Sequence, residues 1–279
     1  GGGLWLGRGL GNQDPAVYQT YFSDPDYWRV ELQAGDWVSI SVDTPASNVD
    51  AYVELRNAAD GTLVSSNDEG PGNDALISRY QVQSSGSYYV VVGKYYWGAE
   101  AGPYELGVQV ARGIDQERDA HYSNDSVGGA NVLSLVAQGN HQRTTIAGTV
   151  MAPEDSSNRS DEDLFALGML NAGNVVELGT RLPGASTLLA KVSLLRADGT
   201  AVTDEDGDAT DGHFLATLTA DGQYYARIES TGATYAGQRY VLSDTGLTWS
   251  AAETLAQSLG GHLVTINDAA EQQWLTQNF

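Results

Sequence analysis

Short runs in which apolar and polar residues alternate, each closed by turn residues, fill most of the chain, and they come in two matching sets. Val53-Glu54-Leu55-Arg56-Asn57 and the run after Asp60-Gly61 have as counterparts Val192-Ser193-Leu194-Leu195-Arg196 and the run after Asp198-Gly199. Asp-Gly between alternating runs predicts a β-hairpin in each copy. Three further landmarks repeat in the same order. Leu32-Gln33-Ala34-Gly35-Asp36-Trp37-Val38 answers to Leu170-Asn171-Ala172-Gly173-Asn174-Val175-Val176, Ser85-Gly86-Ser87-Tyr88-Tyr89 to Asp221-Gly222-Gln223-Tyr224-Tyr225, and Gly102-Pro103-Tyr104-Glu105-Leu106 to Gln238-Arg239-Tyr240-Val241-Leu242. A period of two with regular turns predicts an all-β fold, and the duplication predicts two tandem antiparallel β-sandwiches, over residues 1–111 and 112–238.

From Arg239 the apolar period lengthens toward 3.6, which predicts a short α+β segment over residues 239–279. Trp249 to Leu259 places Ala252, Leu255, Ala256 and Leu259 on one helical face, and Gly260-Gly261 stops it. An apolar strand is expected at His262–Ile266. Asp268-Ala269-Ala270-Glu271 has the spacing of a capping box and opens a second helix carrying Trp274 and Leu275.

Charge narrows the function classes. The 36 acidic residues against 14 basic ones give a formal charge of −22. Such a surface repels phosphate backbones and anionic lipid, so neither nucleic acid nor a membrane surface is an expected partner. No apolar run approaches the roughly 20 residues of a membrane span, so no membrane insertion is expected either. The chain has no cysteine, which excludes disulfides, thiolate zinc sites and thiol nucleophiles. The only lysines are Lys94 and Lys191. An Asp-rich, Lys-poor composition points outside a low-salt cytosol, to an extracellular or cell-surface location, with any signal peptide upstream of Gly1.

Enzyme chemistry finds little support. His121, His141, His213 and His262 show no zinc-binding spacing, and there is no Gly-x-Ser-x-Gly elbow or phosphate-cradling loop. No catalytic role is expected.

Asn124-Asp125, Ala130-x-x-Leu133, Gly148-Thr149, Asp161-x-Asp163-x-Phe165 and Gly222-x-Tyr224-Tyr225 together resemble the bacterial pre-peptidase C-terminal (PPC) domain. The first repeat resembles it from Asp24-Pro25-Asp26-Tyr27-Trp28 onward, without the opening Asn-Asp. Tyr240-Val241-Leu242, Trp249, Gly260-Gly261-His262-Leu263-Val264-Thr265-Ile266 and Glu271 to Leu275 resemble the first third of a C-type lectin-like domain. Ala256 stands where that family usually has a cysteine, and the long loop with its calcium and sugar ligands is not reached before Phe279. No sugar-binding residue can therefore be carried over.

The PPC resemblance implies calcium as a cofactor. In collagen-binding relatives a linker Asn-Asp and a downstream Asp pair chelate calcium together, which here designates Asn124, Asp125, Asp161 and Asp163. Ala120 and Tyr122 replace the two glutamates expected before the Asn-Asp, and Glu117 or Asp119 are the candidates to substitute for them. Asp24 and Asp26 hold the place of the downstream pair in the first repeat. A second candidate is Asp204-Glu205-Asp206-Gly207-Asp208 with Asp211, because alternating oxygens around a glycine suit a hard cation. It resembles part of an EF-hand loop without the terminal Glu, and its plainer reading is a solvated acidic turn. The third candidate is the aromatic loop Tyr95-Tyr96-Trp97, whose rigid area suits a polysaccharide or protein ligand or else covers an open end of the sandwich.

These features predict non-catalytic adhesion or spacer modules from a large secreted or surface-anchored bacterial protein, stabilised by calcium. The alternatives are the substrate-targeting region of a secreted hydrolase and a structural subunit of an extracellular assembly. Self-association through the C-terminal segment is a further expected mode, since Leu255, Leu259, Leu263, Ile266, Trp274 and Leu275 need cover.

Overall fold

The computed structural model describes residues 2–13, 25–44, 49–57, 61–66, 68–72, 74–94, 101–151, 161–183, 186, 188–208, 211–235, 238–241, 247–258 and 261–278. The chain is mostly β, with antiparallel sheets, and divides into two compact units. One comprises residues 1–156 and 161–168, and the other residues 157–160 and 169–279. The first unit thus runs past residue 111 and takes in the segment that follows.

In the first unit, β1 (Gly2–Gln13), β3 (Trp37–Asp43), β6 (Ala75–Gln81) and β8 (Gly102–Arg112) form an antiparallel sheet in the order β1-β8-β3-β6. A second antiparallel sheet runs β2-β7-β4-β5, from β2 (Asp26–Leu32), β4 (Ala51–Asn57), β5 (Gly61–Ser66) and β7 (Gly86–Lys94). The alternation read from the sequence puts Val38, Ile40 and Val42 of β3 and Tyr104, Leu106, Val108 and Val110 of β8 into one core with Val53, Leu55, Val90 and Val92 of the other sheet. Burying each such side chain contributes roughly 1.5–3 kcal/mol. Short strands follow: β9 (Asp115–Gln116), β10 (Asn131–Val132), β11 (Val136–Gln138), β12 (His141–Arg143) and β13 (Ile146–Ala147), before β14 (Glu162–Leu170).

The second unit contains β15 (Val175–Gly179) paired with β17 (His213–Thr217), β16 (Ala190–Arg196) paired with β18 (Gly222–Ser230), and the hairpin of β19 (Gly232–Tyr235) and β20 (Gln238–Val241), all antiparallel. Val192, Leu194, Phe214, Ala216, Leu218, Tyr224 and Ala226 are buried. Helices α1 (Trp249–Ser258) and α2 (Ala269–Asn278) end the chain.

The duplicated landmarks make the same hydrogen bonds in both units. Gly35 and Gly173, at φ 89° and 86°, donate N–H to Val82 O and Leu218 O, each at 2.8 Å. Those left-handed φ values are why glycine recurs at this turn. Tyr88 donates its hydroxyl to Ser84 O at 2.6 Å, and Tyr224 donates to Ala220 O at 2.8 Å, four residues back in each case.

Two expected elements differ. The first hairpin forms as β4 and β5, but the run after Asp198-Gly199 keeps only a bridge between Leu195 and Ala201. The chain leaves β16 after Val202 because Glu205 N–H donates to Leu215 O (2.9 Å) and Asp204 Oδ1 accepts Leu215 N–H (3.1 Å), drawing it to β17. The strand expected at His262–Ile266 is irregular. Side chains hold its ends instead of a neighbouring strand: Leu263 N–H donates to Glu253 Oε2 (3.0 Å) and Asn267 N–H to Glu271 Oε2 (2.7 Å). Val264 and Ile266 are exposed, and so is Trp249, at 73 %. Trp274 packs against Tyr240 with ring centroids 5.1 Å apart and the rings inclined at 59°, while Leu255, Leu263 and Leu275 are half-buried.

Candidate metal centre

Three short pieces of the first unit bring acidic side chains together. β9 lies parallel to β13, with Asp115 opposite Ile146 and Gln116 opposite Ala147, and Glu117 N–H extends that ladder to Ala147 O at 2.9 Å. The chain then turns through His121 and Tyr122, both left-handed at φ 58° and 55°, to reach Asn124 and Asp125. Asn131 ties the two ends of this turn by accepting Arg118 N–H at Oδ1 (2.6 Å) and donating Nδ2–H to Arg118 O (3.0 Å). β14 supplies the third piece. It runs parallel to β10, and Leu164 N–H donates to Asn124 O (3.1 Å), which sets Asp161 and Asp163 beside the turn.

Asp119, Asp125 and Asp161 each offer a carboxylate oxygen, all within 4.8 Å of one another. Asn124 joins them, donating N–H to Asp119 Oδ1 (3.3 Å) and Nδ2–H to Asp163 Oδ1 (3.1 Å). Met151 N–H donates to Asp161 Oδ2, and Thr149 N–H to Glu117 Oε1. A Cβ at Gly148 would overlap the Glu117 carboxylate, so a larger residue there must displace that side chain. The structure thus brings Asn124, Asp125, Asp161 and Asp163 together and adds both Glu117 and Asp119, the residues named as substitutes for the expected glutamates.

The burial of this cluster is extreme for its charge. Glu117, Asp119, Asn124, Asp161 and Asp163 are at most 4 % exposed; Glu117 Oε2, Asp119 Oδ2, Asn124 Oδ1 and Asp161 Oδ1 accept no hydrogen bond from an N–H or hydroxyl, and the Glu117 and Asp119 carboxyls face those of Asp163 and Asp161. Burial, followed by mutual repulsion, pushes the Asp161 carboxyl up to about 9 and Glu117 well above the usual carboxylate range. Burial also raises Asp119 and Asp163 to about 7. Orphaned buried carboxylate oxygens cost several kcal/mol unless a cation or proton neutralises them. Clustered carboxylates with an amide oxygen match the donors of a hard divalent ion, which takes 6–8 oxygens. The residues present therefore fit calcium.

The other sequence candidates are arranged differently. Asp206 and Asp211 come together with His213, but Asp206 and Asp211 are exposed. Asp206 Oδ1 accepts Asp208 N–H (2.9 Å) and Asp211 Oδ1 accepts His213 N–H (2.7 Å). Asp204 holds β17 as described, and Asp208 stands outside the group. Asp26 accepts the Tyr104 hydroxyl at Oδ2 (2.7 Å) inside the first sandwich. Tyr95, Tyr96 and Trp97 lie outside the described residues, as does Asp24.

The family model of the bacterial pre-peptidase C-terminal domain matches residues 24–94, so a domain of this kind is present there, ahead of the acidic cluster. Similar solved structures include the pre-peptidase C-terminal domain of collagenase from Bacillus anthracis, at 19% identity over 37% of this chain and 87% of that one, with a TM-score of 0.29. Two others are PliG proteins, periplasmic inhibitors of g-type lysozyme. The one from Aeromonas hydrophila is 14% identical over 39% of this chain and 87% of its own, with a TM-score of 0.29. The one from Salmonella Typhimurium is 20% identical over 37% of this chain and 89% of its own, with a TM-score of 0.26. No curated protein matches the chain. No catalytic family is indicated, and among the described residues no helix is long and apolar enough to cross a membrane.

Proposed function

We propose that this chain is a non-catalytic accessory region of a secreted or surface protein, in which calcium in the acidic cluster rigidifies the segment that follows the first PPC domain. The observation that carries this reading is the set of four buried residues with orphaned oxygens, Glu117, Asp119, Asn124 and Asp161. A divalent ion inverts the local electrostatics and makes the ionised carboxylates the favoured form. The shared turn and tyrosine bonds of the two units support a second PPC-type sandwich there. The half-buried Leu255, Leu263 and Leu275 support a C-terminal module of lectin-like pattern that takes further cover from another surface. The partner on this reading is an extracellular protein or polysaccharide.

Calorimetric titration of chelator-stripped protein with calcium tests the reading. Saturable binding is expected, with stabilisation of about 2.7 kcal/mol at a hundredfold excess over Kd. Asp161→Asn is expected to abolish it. Absence of binding to the wild-type chain would refute the proposal.

A further inference from the structure

The segment carrying Glu117 and Asp119 is gripped from the first sandwich at a bulge in β6. The register between β3 and β6 shifts between Val38 and Ile40, and Arg79 in that bulge has φ 56°, a left-handed conformation unusual for arginine. Its backbone N–H donates to Ser39 Oγ (3.1 Å). Its guanidinium lies 4.0 Å from the centroid of the Trp37 ring, donates Nε–H to Gln116 O (2.8 Å) and Nη2–H to Asp115 Oδ1 (2.8 Å). The neighbouring Ser78 accepts Asp119 N–H at Oγ (2.9 Å). These bonds fall on both sides of Glu117. Two further contacts complete the hold: Gln116 Nε2–H donates to Gln109 Oε1 (2.8 Å), and His121 N–H donates to Glu69 O (2.8 Å).

Strained backbone persists where the surroundings fix it, and an observed outlier is a starting point for a functional argument. We infer that Arg79 and Ser78 are positioning residues for the acidic cluster, holding Glu117 and Asp119 in place from the β6 bulge so that cation binding and the first sandwich stabilise each other. This rests on the calcium reading above. Arg79 supplies no oxygen to the cluster. Its planar fork bonds a backbone carbonyl and a carboxylate simultaneously while stacking on an indole, which a lysine cannot reproduce. Residues that orient metal ligands typically change affinity 10–100-fold when removed. Linkage makes the coupling reciprocal: a grip that favours the ion is tightened by the ion.

The test uses the full chain and calcium alone. Arg79→Gly suits the left-handed φ and so removes the clamp while relieving the backbone; Ser78→Ala removes the other contact. Calcium affinity is read by calorimetric titration, and amide hydrogen exchange is read at residues 75–81 with and without calcium. The expected result is at least tenfold weaker binding in Arg79→Gly and severalfold weaker binding in Ser78→Ala. Calcium should also slow exchange along β6 in the wild type and lose that effect in Arg79→Gly. Should Arg79→Gly fail to fold, Ser78→Ala decides by the same two readouts. Wild-type affinity in the folded variants, with binding abolished in Asp161→Asn, would overturn the positioning role and leave the calcium reading intact. A wild-type chain that binds no calcium would overturn both.

Discussion

Asn174 repeats the backbone role of Asp36 without its charge. Asp36 Oδ2 accepts Gln33 N–H at 2.7 Å, and Asn174 Oδ1 accepts Asn171 N–H at 2.9 Å. Their carbonyls accept Val82 N–H and Leu218 N–H, each at 2.8 Å. Only Asp36 is paired with an arginine: Arg112 donates Nε–H and Nη2–H to its two oxygens at 2.8 and 2.7 Å.

That difference gives a graded prediction. Asp36→Asn keeps the turn bond and loses the ion pair, so a cost of about 1–2 kcal/mol is expected; Asp36→Ala loses both and should cost about 3 kcal/mol. Denaturant melts at pH 7 measure both. Arg112 holds the Asp36 carboxyl below its usual range. Its contribution is therefore present above the unfolded value near 3.8 and is lost as pH falls through the lower folded value. Asp36→Asn should remove that part of the acid sensitivity.

The acidic cluster predicts the opposite slope. Carboxyl groups raised by burial bind protons more tightly in the folded chain than in the unfolded one. Chelated protein should lose stability as pH rises from about 4 toward the folded values of about 7 for Asp119 and Asp163 and about 9 for Asp161. Calcium should flatten that decline. Thermal melts from pH 5 to 9, with chelator and with excess calcium, give the comparison.

Gly148→Ala should act on the same cluster through sterics alone. The added methyl displaces the Glu117 carboxylate, at an expected cost of about 1–3 kcal/mol in the calcium-bound protein. Melts and calcium titration of the variant measure it.

At the C-terminus, Tyr240→Phe removes the hydroxyl that donates to Glu271 Oε1 at 2.6 Å, although Glu271 is only 3 % exposed. Loss of this bond should loosen the attachment of α2 locally. Hydrogen exchange over residues 269–278 should accelerate while the β6 amides stay unchanged.

Much of this was legible in residue order. Strand alternation and the repeated Gly35 and Gly173 turns follow from local chemistry, as does Asp268 as a cap, accepting Glu271 N–H at 2.8 Å. Asn124, Asp125, Asp161 and Asp163 came from the resemblance to the PPC family, with Glu117 and Asp119 as the candidates to substitute for its two missing glutamates. Arg79 left no comparable signal: its partners lie 36 and 37 residues away, and its φ belongs to a bulge that only strand pairing creates. The apolar run His262–Ile266 looks like a strand, but a strand is defined by its neighbour, and there side chains took the backbone bonds instead.

The charge difference between Asp36 and Asn174 also bears on how a newly made chain sorts itself. Tandem stretches with the same turn bonds are prone to assembling across each other, with a strand from one half docking in the other. Arg112, seated at the wrong turn, would meet the neutral Asn174 and lose two charge-assisted bonds, while Asp36 would be left buried and unneutralised. A swapped arrangement would thereby be penalised at this turn, and the ion pair would act as an address label for the strand that carries it.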